Sequence, residues 1–269
     1  MSKKNLLLTG SNGFIGKNVI KKLDSFNDFN ITKIEKNFYE SKNWKKEIDT
    51  VIKNTDFILH IGADSNTMNK DVQDVMYHNY HLSKFIFDKA KKYNKSIVFS
   101  SSAACNGTDG HPSNLYGWSK YAAEQYGISN NEKFIALRYF NVYGPGEEHK
   151  GIMSSVAYQA YKKKTFKLFP NNPKRDFIFI EDIVDATIFP LFNNIESGIY
   201  DVGTGKEESF ERVLTLMNIE YEYHDESVIP VGYQFKTKAD ETNFMKDWKP
   251  KVSLEAGIKI YLDYLNTRI

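Results

Sequence analysis

The chain has 269 residues, with 36 Lys and Arg against 34 Asp and Glu, a formal net charge of +2, 41% hydrophobic residues and a single cysteine, Cys105. Charges of both signs are interspersed, so no global field favours nucleic acid or an anionic membrane surface. No stretch approaches the ~20 apolar residues of a membrane span, and one cysteine excludes an internal disulfide and any multi-cysteine metal site. A chain of this length suits one large domain or two intimate lobes that together bury roughly 75% of the unfolded surface. Met1 to Asn5 is short and polar and lacks a leader pattern, so a cytoplasmic location is expected. No internal repeat or low-complexity linker interrupts the chain.

Leu6, Leu7 and Leu8 form a continuous apolar run ending in Thr9 and Gly10, as a fully buried parallel strand does, and Phe14 to Leu23 then reads as a helix. Further apolar runs at Ile31 to Ile34, Phe57 to Ile61, Ile97 to Phe99 and Phe134 to Leu137 alternate with helical patterns, notably Val72 to Tyr93 and Tyr116 to Gly127. This rhythm predicts an α/β fold with a doubly wound parallel sheet. After Pro145 it breaks: a helix over about Met153 to Lys164, a strand at Phe177 to Ile180, a helix from Ile183, then short mixed elements to an amphipathic helix, Leu254 to Leu265. These later elements suit a smaller α/β lobe. Lys162, Lys163 and Lys164 read as a solvated helix face.

Gly10, Gly13 and Gly16 sit where the first strand meets the first helix. Glycines there permit a tight turn, close approach of the backbone to a pyrophosphate and close helix packing, while the helix N-terminus faces negative charge. At the end of the second strand, Glu35 suits an adenosine ribose and repels a 2′-phosphate, whereas Lys36 attracts one, so NAD and NADP both stay open. Ser100, Ser101 and Ser102 follow the strand Ile97 to Phe99, at the sheet edge where open α/β folds place ligands. Ser102 is the candidate hydrogen-bond donor to a reacting oxygen; helix capping is the preferred account of Ser100 and Ser101. Tyr116 and Lys120 are four apart on a predicted helix, so the lysine can lie under the phenol and favour its ionised form. In a chain with 17 tyrosines the spacing alone also fits a surface helix with a solvated lysine.

Taken together, Thr9 to Gly16, His60-Ile61-Gly62-Ala63, Asn79, Ser102, Tyr116 with Lys120, Leu137 to Pro145 and Arg175 to Ile180 resemble the extended short-chain dehydrogenases/reductases that act on nucleotide sugars. The resemblance implies a Rossmann domain over 1–148 plus 177–204 and a substrate-binding lobe over 149–176 plus 205–269. It further implies that Phe14, Ile15, Glu35, Lys36, Ile61, Gly62, Ala63, Asn79, Lys120 and Val142 line a tightly bound NAD or NADP. A narrower likeness, in Glu148 to Ala157, Lys167-Leu168-Phe169, Lys174 to Phe177, Gly203-Thr204-Gly205 and Gly232-Tyr233-Gln234, is to the ADP-L-glycero-D-manno-heptose 6-epimerase family.

That second likeness makes Lys150 a second catalytic acid/base beside Ser102, Tyr116 and Lys120, and gives Asn141, Phe169, Pro170, Asn171, Asn172, Arg175 and Tyr233 contacts to a nucleotide-diphosphate sugar. The implied chemistry is epimerisation through a transient ketone; a different nucleotide-sugar epimerase, such as a UDP-sugar 4-epimerase, or a reductase is the alternative. A non-catalytic dinucleotide sensor is a remote one. A 4,6-dehydratase fits less well, because Ala103 and Ala104 stand where elimination needs an acid. Ile152 and Gln159 replace the serine and histidine typical of the heptose family, which leaves the sugar open. No metal and no nucleic acid are expected, and a homo-oligomer is.

Overall fold

The computed structural model describes residues 3–107, 110–229 and 233–268. Gly232 and the side chain of Ile152 lie outside that description. The chain divides into two compact units, Met1–Arg138 with Val184–Tyr200 and Tyr139–Ile183 with Asp201–Ile269.

In the first unit, β1 (Lys4–Thr9) leads into α1 (Phe14–Asp24) and β2 (Phe29–Ile34), followed by α2 (Trp44–Lys53) and β3 (Phe57–His60). Next come α3 (Val72–Met76), a π turn (Tyr77–His81), α4 (Leu82–Lys92), β4 (Ser96–Ser102), α5 (Leu115–Asn130) and β5 (Phe134–Tyr139). With β10 (Gly198–Val202) these strands make a six-stranded sheet in the order β10-β5-β4-β3-β1-β2. The strand β1 pairs in parallel with β2 on one side and β3 on the other, so the chain reverses its winding direction at β1. That switch point is where open α/β sheets leave a ligand crevice, and the Gly-rich turn sits directly after it.

The three leucines of β1 are at most 1% exposed, which explains why the strand reads as an unbroken apolar run. Around it, Ile48 and Ile52 of α2, Ile86, Phe87 and Ala90 of α4 and Ala123 of α5 close on Leu7, Ile58, Ile97 and Phe99 of the sheet. The span expected as one helix, Val72 to Tyr93, is widened in its middle by the π turn, a distortion often found at functional sites.

The second unit has smaller elements. They are β6 (Asn141–Tyr143), α6 (Val156–Lys163), β7 (Thr165–Leu168), β8 (Lys174–Arg175), β9 (Phe177–Phe179), α7 (Ile180–Phe192, shared with the first unit), β11 (Glu208–Ser209), α8 (Phe210–Leu216), β12 (Glu220–Tyr223) and α9 (Leu254–Asn266). The strands pair two by two, β6 with β9, β7 with β12 and β8 with β11. The helix α9 approaches β6 so closely that a Cβ on Gly257 would stand 2.1 Å from the Tyr143 hydroxyl. Loops are held by buried carboxylates: Asp176 accepts from the amides of Thr204, Gly205 and Ala239, and Asp182 from those of Lys251 and Val252. Lys162, Lys163 and Lys164 are exposed, the solvated face the sequence suggested.

Candidate active site

The turn after β1 is built without room for side chains. A Cβ on Gly16 would lie 2.1 Å from the carbonyl oxygen of Gly10, and one on Gly10, whose φ is +74°, would lie 2.6 Å from the Cα of Gly62. Gly13 is the N-cap of α1 and has no side chain to occupy the first-turn amides, nor does that turn carry an acidic residue. The glycine spacing therefore leaves a helix N-terminus open to an anion, which fits the pyrophosphate of a dinucleotide. Phe14 is buried and Ile15 half-buried in the first turn behind it. The carboxylate of Glu35 reaches back to this turn, accepting from the Ser11 hydroxyl and, at 3.1 Å, from the Asn12 amide. Lys36 is exposed at the start of a short 3-10 turn.

The Tyr116–Lys120 pair lies on α5, capped by Asn114, whose side chain accepts from the Gly117 amide at 2.8 Å. Gly117 lets this helix press on the turn after β4: a Cβ there would be 2.6 Å from the Ala104 carbonyl oxygen. The Tyr116 phenol is thereby set beside Ser102, whose side chain acts on it. Burial pushes the Tyr116 phenol up to about 12, with the Ser102 side chain acting the other way. Lys120 is only 1% exposed, lies 4.2 Å over the Phe99 ring, and is brought down to about 8 by burial.

The serines divide differently from the expectation. Ser100 donates to the Ile61 carbonyl and Ser101 to Glu124, whereas Ser102 caps the turn Ala103–Cys105 by accepting from the Ala104 amide. Capping thus belongs to Ser102 and not to its two neighbours, because β4 continues three residues beyond its apolar stretch and keeps Ser100 and Ser101 in the sheet.

A buried network joins the glycine turn to α5. The Ser83 hydroxyl donates to the Asn79 carbonyl at 2.7 Å, so the oxygen it shares with His60 Nε2 at 2.8 Å must accept there. Nδ1 of His60 then accepts from Thr9, 2.7 Å away, whose Oγ1 in turn accepts from the Gly62 amide. Burial, aided by Lys120, holds His60 down at about 3, so it is neutral and one tautomer orders the whole chain of bonds. Asn79 in the π turn is fully buried; its amide exchanges bonds with the backbone of Asp64 and donates to Ser119, which donates to the Tyr116 carbonyl. Ile61 and Gly62 are half-buried and Ala63 exposed in the loop between.

In the second unit, Arg175 lies over two rings, Phe210 at 5.5 Å and Tyr233 at 5.3 Å, and Phe169 packs edge-on against Tyr233. Burial lowers the guanidinium from its ordinary value, a cost that an anionic partner would offset. Pro170 is half-buried, and Asn171 and Asn172 are exposed with φ of +66° and +49° in the turn before β8. Asn141 is exposed and Val142 half-buried at the start of β6, in parallel register with Phe177 and Ile178. Lys150 is half-buried in a 3-10 segment, Glu148–Met153, and burial lowers its ammonium from the ordinary lysine value while Glu147 opposes that shift. Among the described residues no group of three or more His, Cys, Asp or Glu side chains is placed to hold a metal ion, and no helix is long and apolar enough to cross a membrane.

The NAD dependent epimerase/dehydratase family matches residues 6–203 of the chain, three quarters of its length. The chain belongs to that family. A Brachyspira hyodysenteriae ADP-L-glycero-D-manno-heptose-6-epimerase is 31% identical over 97% of both chains. Among solved structures, the ADP-L-glycero-D-manno-heptose-6-epimerase of Helicobacter pylori superposes with a TM-score of 0.84 at 23% identity, covering 98% of this chain and 97% of that one. A UDP-N-acetylglucosamine 4-epimerase from Methanobrevibacter ruminantium, in complex with UDP-N-acetylmuramic acid, gives 0.85 at 20% identity with both chains fully covered.

Within this epimerase/dehydratase chain the residues that sequence reasoning passed over are Glu124 and Arg138. Glu124 is fully buried four residues beyond Lys120; it holds Arg138 through two bonds of 2.9 and 2.6 Å and accepts from Ser101 at 2.7 Å. The i, i+4 step from Lys120 was the available signal. Such a bidentate pair is rigid, and removing one partner costs about 3–5 kcal/mol because the other is left buried and uncompensated.

Proposed function

We propose that the protein is a nucleotide-sugar epimerase that oxidises one carbinol to a ketone and reduces it again from the other face, with an ADP-glycero-manno-heptose as substrate and C6 as the carbon inverted. The observation that carries this reading is the Tyr116 phenol, set beside the Ser102 side chain on a helix that also buries Lys120. The 31% identity to a heptose epimerase over nearly the whole chain supports the choice of sugar. The hydride that leaves the carbinol carbon and returns to it is the chemistry a bound nicotinamide supplies. In this reading Ser102 donates to the substrate oxygen, Tyr116 takes and returns its proton, and Lys120 holds the cofactor ribose. Inversion presents the ketone oxygen in a second orientation, and Lys150 supplies the proton there. Arg175, stacked between rings, pairs with the diphosphate, with Asn141, Phe169, Pro170, Asn171, Asn172 and Tyr233 around the sugar nucleotide.

The test is proton NMR of ADP-D-glycero-D-manno-heptose incubated with purified protein. Stereochemical change at C6 is expected, and Lys150→Ala is expected to slow it at least ~100-fold. No stereochemical change, or full activity in Lys150→Ala, sinks the reading. Lasting turnover of added cofactor would instead mark a reductase, and inversion confined to a UDP-sugar a 4-epimerase; Gln159, turned to the Ser154 carbonyl at 2.9 Å where the heptose family carries histidine, is the observation that keeps other sugars in view.

The cofactor proposed is NAD. The Glu35 carboxylate is drawn to the glycine turn by two donors and would face a 2′-phosphate with like charge. Titration followed by fluorescence is expected to give NAD at least about tenfold tighter binding than NADP, and Glu35→Gln to narrow that gap. Equal affinities in the unaltered protein would refute it. The functional division into 1–148 plus 177–204 and 149–176 plus 205–269, and a cytoplasmic homo-oligomer, belong to the same proposal.

A further inference from the structure

The segment that carries Lys150 is closed from inside by a carboxylate to which the chemistry above gives no part. Glu147 is 0% exposed. Its Oε1 accepts from the Gly144 amide at 3.3 Å and from the Ser155 hydroxyl at 2.6 Å, and its Oε2 accepts from the Ser155 amide at 2.5 Å. Every partner donates, so both oxygens of the group serve as acceptors. Gly144 precedes the segment and Ser155 follows it, so one side chain ties both ends of the loop together. Ser155 is also the N-cap of α6, accepting from the Tyr158 amide, so the same carboxylate anchors the loop to the first turn of that helix.

Between these anchors the backbone follows an enforced path. The Glu147 carbonyl accepts from the Lys150 amide at 2.9 Å, which closes the turn that presents the lysine. Gly151 then breaks the helical run with φ +57° and ψ −122°, a conformation that L side chains rarely adopt. The Gly151 carbonyl accepts from the Ser154 amide and hydroxyl. Lys150 therefore sits on a short arch whose feet are both pinned to Glu147.

We infer that Glu147 is the positioning residue for Lys150, fixing the arch on which the lysine stands and keeping a negative charge behind its ammonium. The inference rests on the reading of Lys150 as second proton donor. A buried lysine loses its proton more readily, and a donor must hold one at neutral pH; Glu147 acts in the retaining direction. The other titratable groups facing this carboxylate are the buried Tyr261 of α9, raised by burial and by Glu147, with Glu148 and Tyr158 close to that phenol and Tyr264 beside Glu148. The positive charges of this cluster are Lys150 and, over the ring of Tyr264, Arg268.

The experiment uses the full chain with cofactor, labelled with [13Cε]-lysine, the Lys150 resonance being assigned by its loss in Lys150→Arg. In Glu147→Gln the Lys150 titration is expected to move down by about one pH unit, and the alkaline limb of kcat to move with it, since an ammonium without its carboxylate deprotonates earlier. Glu147→Asp keeps the charge but withdraws the anchor; it is expected to hold the Lys150 titration while kcat falls at least about tenfold with KM little changed. An unmoved titration in Glu147→Gln overturns the inference. If that variant does not fold, an unaltered kcat in Glu147→Asp overturns it instead. Full epimerisation by Lys150→Ala would sink the role of the lysine and leave the titration still able to report whether Glu147 governs it.

Discussion

Tyr116→Phe is expected to lower kcat for epimerisation by about 10³-fold while leaving cofactor affinity and thermal stability near those of the unaltered protein. The substitution removes one hydroxyl from a helix held by other means. The Asn114 cap, the Ser119 bond to the Tyr116 carbonyl and the Gly117 contact with the Ala104 turn do not involve the phenol. Ser102 keeps its bond from the Ala104 amide. What is lost is the group proposed to take the substrate proton. In the free chain burial holds that phenol at about 12, so it is neutral at physiological pH, and its ionisation has to be favoured by positive charge beside it. A base works only when deprotonated, so kcat/KM of the holoenzyme is expected to rise with pH up to an apparent pKa below 12. Tyr116→Phe is expected to lose that limb. A variant that keeps both the limb and more than about a tenth of the rate would remove Tyr116 from the chemistry.

Why this helix was readable from sequence while its surroundings were not follows from distance along the chain. Thr9 to Gly16 and Tyr116 to Lys120 are local patterns: a strand, a turn that excludes Cβ atoms and a helix whose face repeats every four residues. Glu124 continues that face and was within reach, but the partner that gives it meaning, Arg138, is on β5 fourteen residues further on. The His60 relay is more distant still, since it joins β1, β3 and α4 through residues 51 and 23 positions apart. Ser100 and Ser101 misled because polar residues after an apolar run look like a strand end. In the fold their hydroxyls find buried acceptors and the strand continues. In the second unit, strands of two to four residues are too short for any period to show, and a carboxylate such as Glu147 is recognisable only once Gly144 and Ser155 are folded around it.

Lys120→Met is expected to abolish turnover and to make the protein more stable. Lys120 carries its ammonium into a site with 1% exposure, and the fold brings it down to about 8 from an ordinary 10.5. Burial is the leading cause, with Cys105 and Glu124 opposing it. Because the folded value lies below the unfolded one, the unfolded chain binds more protons between the two, so stability rises with pH across about 8 to 10.5 and the full penalty is present at pH 7. That penalty is on the order of 3 kcal/mol, and the contact with the Phe99 ring, about 2 kcal/mol when desolvated, offsets part of it. Methionine keeps the apolar stem and removes the charge. Glu124 is not orphaned by the change, because both its oxygens remain bonded to Arg138. The net gain expected near pH 7 is about 1 kcal/mol, a rise of roughly 2–4 °C in Tm. The difference between the two proteins should shrink as the pH is raised toward 10.5, where the unaltered lysine is neutral in the fold. A lower Tm for Lys120→Met at pH 7, or a difference that grows with pH, would mean that the ammonium is stabilised in its pocket. The alternative, a stabler protein with no turnover, would identify Lys120 as a charge that the fold retains for chemistry at its own expense.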